Sequence, residues 1–69
     1  MKITVIKKTG RDFSETVDMP THSTPFDLME KLGMFVDITI CLRNNTIIPC
    51  DQELADGDSI TLVNVASGG

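Results

Sequence analysis

The sequence contains no tryptophan or tyrosine and only three phenylalanines, Phe13, Phe26 and Phe35. With so few rings, the interior of any fold must rest on Ile, Leu, Val and Met. Two cysteines, Cys41 and Cys50, are too few for a disulfide scaffold, and their spacing suits neither a CxxC redox pair nor a zinc site. Basic residues are also scarce: six Lys and Arg against ten Asp and Glu give a net charge of −4. The cations are scattered, with no stripe to neutralise phosphates, which argues against direct nucleic-acid binding and for a partner with a basic face. No apolar run is long enough for a signal peptide or a membrane span, so the expectation is a cytoplasmic protein without membrane contact. Nor do a nucleophile and a base stand together, and 69 residues leave few side chains for a catalytic cleft once a core is built. The expectation is a non-enzymatic binding or carrier domain without a cofactor.

Apolar residues make up 41% of the chain, a globular composition. Met1, Ile3 and Val5 alternate with polar residues, and so do Phe13, Val17 and Met19 beyond Lys8-Thr9-Gly10. This predicts a β-hairpin. A two-residue Thr9-Gly10 turn would oppose Val5 to Ser14. A three-residue connection ending in a left-handed Gly10 opposes Val5 to Phe13 and Met1 to Val17, keeps the apolar sets on one face, and is preferred.

Thr24-Pro25-Phe26-Asp27 is a helix start, with a Thr cap, Pro in the first turn and an acid near the positive end of the dipole. The helix is expected to reach about Leu32, with Phe26, Met29 and Leu32 on its apolar face, Leu28 at the edge, and Gly33 as a left-handed C-cap. Ile38, Ile40 and Leu42 then alternate as a strand, Asn44-Asn45 supplies a tight turn, and Thr46 to Pro49 return as an edge strand. Ser59 to Val65 is β-branched and apolar on both faces, as a central strand should be. The order is strand, strand, helix, strand, short strand, strand, then a tail. It predicts an α+β domain over 1–65, with a mixed sheet of four to five strands packed on one main helix, and a flexible tail over 66–69.

The tail, Ala66-Ser67-Gly68-Gly69, follows the last strand without a packing residue. Glycine lacks a Cβ, so a partner can thread such a strip through a narrow channel to reach the terminal carboxylate of Gly69, reading Ser67 and Gly68 on the way. Leu54-Ala55-Asp56-Gly57-Asp58 before the last strand, together with Val65-Ala66-Ser67-Gly68-Gly69 after it, resembles the ubiquitin-like sulfur carriers of the ThiS and MoaD families and the small archaeal modifiers related to them. The resemblance implies a β-grasp fold. It also implies that an ATP-dependent, ubiquitin-activating-type adenylyltransferase adenylates Gly69, after which a sulfur donor converts the terminus to a thiocarboxylate for an acceptor enzyme in thiamine, molybdopterin or transfer-RNA thiolation. Conjugation of Gly69 to lysines of target proteins is a further implied outcome. Val63-Asn64-Val65 stands where the molybdopterin-pathway carriers often have two prolines, and the thiazole-pathway carriers usually have a longer stretch before Asp-Gly-Asp, so the chain fits neither template cleanly. The alternative is a non-covalent ubiquitin-like binding module or small subunit of a synthase.

Other features carry simpler readings. Asp51, Glu53, Asp56 and Asp58 lack the alternating register, central Gly and final Glu of a calcium loop, and Asp56-Gly57 reads as a turn into the last strand. Cys41 and Cys50 would be diagonal neighbours across the Asn44-Asn45 hairpin, too far apart for an unstrained disulfide, and read as structural thiols. His22, with no acid nearby in sequence, reads as a surface loop residue. With the helix on one face of the sheet, Thr39, Cys41, Ile48, Val63 and Val65 are expected on the other as an apolar partner surface.

Overall fold

A computed structural model of the chain describes residues 1–8 and 12–64. Five strands form one mixed sheet in the order β2-β1-β5-β3-β4. They are β1 (Lys2–Lys8), β2 (Asp12–Asp18), β3 (Thr39–Arg43), β4 (Thr46–Ile47) and β5 (Ser59–Asn64), with α1 (Pro25–Leu32) between β2 and β3 and a short 3-10 turn at Val36–Ile38. β5 lies in the centre, parallel to β1 and antiparallel to β3. This is the mixed sheet that the strand order predicts, in the ubiquitin-like β-grasp arrangement that the resemblance implies. The left-handed Gly10 and the 66–69 tail lie outside the described residues.

The hairpin forms, in a register two residues away from the expected one. Ile3 pairs with Val17, Val5 with Glu15 and Lys7 with Phe13, in place of Val5 with Phe13 and Met1 with Val17. A slip of two leaves every side chain on its own face, so hydrophobic alternation fixes the parity of a register and not its value. The observed register sets the buried Ile3 and Val17 side by side, and the Met19 amide extends the ladder by donating to the Met1 carbonyl at 2.7 Å.

α1 begins and ends as its sequence dictates. The Thr24 hydroxyl accepts from the Asp27 amide while Asp27 reaches back to the Thr24 amide, Pro25 occupies the first turn, and Gly33 closes the helix at φ 72°. Capping of this kind fixes where an eight-residue helix lies, but burial stabilises it. Its buried face is Pro25, Leu28 and Met29, with Leu32 partly covered. Leu28 is therefore central where an edge position was expected, and Phe26 is 46% exposed. The core joins Leu28 and Met29 to Ile3, Val5, Val17, Met19, Cys41, Leu54, Ile60 and Leu62.

β3 starts at Thr39, because Val36–Ile38 are taken up by the 3-10 turn. Asn44 and Asn45 adopt φ of 52° and 65°, the positive values a two-residue hairpin turn needs. β4 is a two-residue edge strand, and Pro49 lies beyond it.

Candidate functional site

The Asp-Gly-Asp segment positions β5. Gly57 turns at φ 86°, a conformation natural to glycine. Its amide donates to the Lys2 carbonyl at 2.9 Å, and Asp56 Oδ1 accepts from the Lys2 amide at 2.8 Å. Asp58 Oδ2 accepts from the Ala55 amide at 2.8 Å and pairs with Arg43 Nη2 at 3.0 Å. The Thr4 amide then donates to the Asp58 carbonyl at 2.9 Å and opens the parallel β1–β5 ladder. The sequence motif is thus a set of stitches at the start of β5. It determines the direction in which the strand runs, and towards the far end Val63 pairs with Lys8.

Gly69, Gly68, Ser67 and Val65 lie outside the described residues. Of the side chains expected on the partner surface, Thr39 and Cys41 are corrected. They are 8% and 2% exposed and point into the core, since Cys41 pairs with the fully buried Leu62. Small side chains at these inward positions leave room for the helix, and the Thr39 hydroxyl meets its polar need by donating to the Phe35 carbonyl at 2.7 Å. Ile48 follows Cys41: its amide donates to the Cys41 carbonyl at 3.0 Å, and its side chain packs against the core. Val63 alone of the four lies on the open face, opposite Ile40.

The open face has different members from those expected. Ile40 and Val63 form one cross-strand row, and Ile6, Thr61, Leu42 and Ile47 form the next. Ile47 is 67% exposed, whereas the others are partly exposed. Sequence reasoning missed Ile6, Ile40, Leu42 and Ile47 because β3 is apolar on both faces and either parity satisfies it. The turn was the available signal: Arg43 opposite Thr46 sets Leu42 beside Ile47.

Other residues take structural places. Burial pushes the Cys41 thiol up to about 11, helped by the neighbouring Cys50 and opposed by Arg43, which leaves Cys41 protonated and unreactive at neutral pH. His22 is exposed as expected, yet its Nδ1 lies 2.6 Å from Glu53 Oε1, an acid 31 residues away that local sequence could not reveal. Glu53, Asp56 and Asp58 are thereby committed to different partners: His22, the Lys2 amide, and the Ala55 amide with Arg43. A groove of about 330 Å³ between Lys7, Met34, Phe35 and Asn64 borders the end of β5.

Comparisons with known proteins agree with this geometry. The model of the ThiS family matches residues 4–69. The ubiquitin of Caldiarchaeum subterraneum superposes with a TM-score of 0.77 at 19% identity, covering 100% of this chain and 98% of that one. The crystal structure of SAMP1 from Haloferax volcanii gives 0.74 at 20% identity, covering both chains completely. A ubiquitin-like protein from Caldiarchaeum subterraneum gives 0.65 at 18% identity, over 93% of this chain and 95% of that one. At these identities the structural likeness concerns the fold.

Proposed function

The chain belongs to the ThiS family, and we propose from this that it is a sulfur carrier or ubiquitin-like modifier whose transferred group is the carboxylate of Gly69. The observation that carries the reading is the extent of the family match, which runs through β5 and the tail to Gly69 itself.

A terminal carboxylate has a pKa of about 3.3–3.7, so it is ionised at neutral pH and a poor acyl donor until it receives a leaving group. An ATP-dependent adenylyltransferase of the ubiquitin-activating type supplies AMP. Sulfide sulfur from a donor enzyme then displaces AMP to leave a thiocarboxylate for the acceptor enzyme, or a lysine amine displaces it to leave an isopeptide. The chain is the substrate in each step and contributes no catalytic residue.

The chain's own part is presentation. β5 is central, bonded on both sides to β1 and β3, so the tail starts from a fixed position. Ordering the tail in a channel costs about 1–2 kcal/mol per residue, and main-chain bonds to Ser67 and Gly68 recover part of that. The open face supplies the rest: Ile6, Ile40, Leu42, Ile47 and Val63 form the docking surface for the activating enzyme, at about 25 cal/mol per Å² of apolar area covered. The protein works in the cytoplasm, where ATP is available; no helix among the described residues is long and apolar enough to cross a membrane.

Intact-mass spectrometry of protein purified from its own cells tests the reading. Sulfur in place of one carboxylate oxygen at Gly69 identifies a carrier, and an isopeptide identifies a modifier. A terminus that stays a plain carboxylate with ATP and the cell's adenylyltransferase would replace covalent transfer with a non-covalent binding module.

A further inference from the structure

The chain has three aromatic rings, and none of them is in the core. Phe26 is 46% exposed, Phe13 52% and Phe35 74%, although a phenylalanine ordinarily contributes a large buried area. Phe35 is the most exposed large apolar side chain among the described residues. Its backbone is nonetheless fixed. The Phe35 carbonyl accepts from the Thr39 hydroxyl at 2.7 Å and from the Ile38 amide at 3.3 Å, and the neighbouring Met34 amide donates to the Met29 carbonyl at 2.9 Å. A ring held in this way needs little further ordering when something covers it.

The ring forms one wall of the groove of about 330 Å³ whose other walls include Lys7, Met34, Ile38 and Asn64. This groove continues the inner face of the sheet past the core. Ile3 and Val5 are fully buried on that face, whereas Lys7, next along it, is half-buried and Phe13, paired across from Lys7, stands open. Lys7 Nζ lies 4.0 Å from Glu15 Oε1 and 5.5 Å from the centre of the Phe13 ring. Held at these distances, the ammonium keeps room for a second carboxylate. One stands two residues from Phe35: Asp37 is exposed, and among the described residues nothing hydrogen-bonds or pairs with its carboxylate. One surface thus carries a projecting ring followed by an unpaired acid, and beside them a groove with a lysine in its wall. Each is what the other requires, and because both belong to one chain, the surface is complementary to a copy of itself turned about a two-fold axis.

We infer that this surface joins two copies of the chain about a two-fold axis, each Phe35 ring entering the other copy's groove and each Asp37 carboxylate meeting the other copy's Lys7. The inference uses no residue beyond Asn64 and is independent of the chemistry proposed for Gly69. A net charge of −4 on each copy opposes unspecific contact, so the two Lys7–Asp37 pairs fix where the copies meet. Two phenylalanine rings cover about 300–500 Å², against roughly 1,200 Å² for a stable complex, so the pair is weak and exchanges rapidly. It leaves the open face clear, because Ile40 and Val63 lie on the other side of the sheet from Leu62 and Lys7.

Dilution of the isotope-labelled chain from about 1 mM to about 0.02 mM, a range suited to weak binding, tests the pairing by NMR and sedimentation equilibrium. The mean mass should rise with concentration above the 7.5 kDa of one chain and not exceed twice that. The amide shifts that follow it should cluster at Lys7, Phe13 and residues 33–38. Phe35→Ser should weaken the association by about tenfold or more while the spectrum stays that of a folded chain. Exchanging charges separates a second copy from any other occupant. Asp37→Lys and Lys7→Glu should each stop self-pairing, because each brings like charges together. An equimolar mixture of the two variants should pair again, since each offers the charge the other needs. A mixture that stays monomeric, or a parent chain that stays monomeric at about 1 mM, overturns the inference. So do concentration-dependent shifts at Ile40, Leu42 and Ile47, which would move self-association to the open face. Groove signals that ignore concentration but move when residues 65–69 are removed, or when the activating enzyme is added, also overturn it and give the groove to those occupants.

Discussion

The two ends of β5 are built on opposite principles. At the start, three short hydrogen bonds tie the Asp56-Gly57-Asp58 turn to β1, a fourth from the Ala55 amide braces it from within, and the Arg43–Asp58 ion pair ties it to β3. At the far end, past Asn64, come a Val, an Ala, a Ser and two glycines, which bring almost no side-chain surface with which to pack. For the proposed function, the anchored start of β5 would aim the residues that follow Asn64. The same division separates the faces of the strand. Ile60 and Leu62 are fully buried under the helix, while Thr61 and Val63 look outward among Ile6, Ile40, Leu42 and Ile47. Stability should therefore respond to changes at the start and inner face of β5, and transfer to changes at its end and outer face.

The largest stability effect should come from the inner face. Leu62→Ala removes a fully buried side chain from the middle of the core and should cost about 2–5 kcal/mol, measured by urea unfolding. A loss under about 1 kcal/mol, the range of an ordinary surface change, would mean that β5 is not the centre of the core. The inner face also sets a pH limit. The Cys41 thiol titrates at about 11 in the fold against 9.0 for a free thiol, so between these values the unfolded chain holds fewer protons than the folded one. Stability should be flat with respect to this group below pH 9 and fall between pH 9 and 11, by up to roughly 2–3 kcal/mol. Cys41→Val should flatten that part of the profile, and Cys41 should resist alkylation at pH 8 until the protein unfolds.

The anchored end should give intermediate effects. Asp58→Ala leaves the Ala55 amide without its acceptor and the Arg43 guanidinium with the Glu53 carbonyl, at 3.0 Å, in place of a carboxylate. Both groups are partly open to water, so the cost should be about 1–3 kcal/mol. Gly57→Ala meets no atom within 4 Å of the added Cβ, so its cost should come from the backbone at φ 86° alone, about 1–2 kcal/mol. If Gly57→Ala were as damaging as Leu62→Ala, the turn would be carrying more than the direction of β5.

Much of this division was legible in the sequence. The helix, with its Thr24 cap, Pro25 start and Gly33 stop, is written in adjacent residues, and so is the Asn44-Asn45 turn, because capping and positive φ are local matters. The resemblance carried by Asp56-Gly57-Asp58 and the terminal glycines pointed to the fold; the role it implies for Gly69 lies outside the described residues. What escaped was non-local. The hairpin register was ambiguous by two because alternation repeats every two residues. The parity of β3 escaped because Ile38, Ile40 and Leu42 look as fit for a core as Thr39 and Cys41, and only pairing with Leu62 decides between them. That error moved the expected partner surface onto the buried side. His22 and Glu53 meet across 31 residues, a separation no local pattern spans.

The smallest stability effects should accompany the largest functional ones. Deleting Gly69 removes a residue that has no side chain, and Leu42→Ser changes a side chain on the open face. Both should stay within about 0.5 kcal/mol of the parent chain. Their transfer defects should differ in kind. Without Gly69 the carboxylate stands one residue short in the channel, so no thiocarboxylate or isopeptide should form at any concentration of activating enzyme. Leu42→Ser keeps the reacting group and loses docking area, so adenylation, followed by pyrophosphate release, should be slow at low enzyme and recover as its concentration rises. Full recovery identifies the open face as a binding surface separate from the reacting end. A Leu42→Ser chain adenylated like the parent at every concentration would move the docking surface elsewhere, with the groove beside Lys7 and Phe35 at the end of β5 as the next place to mutate.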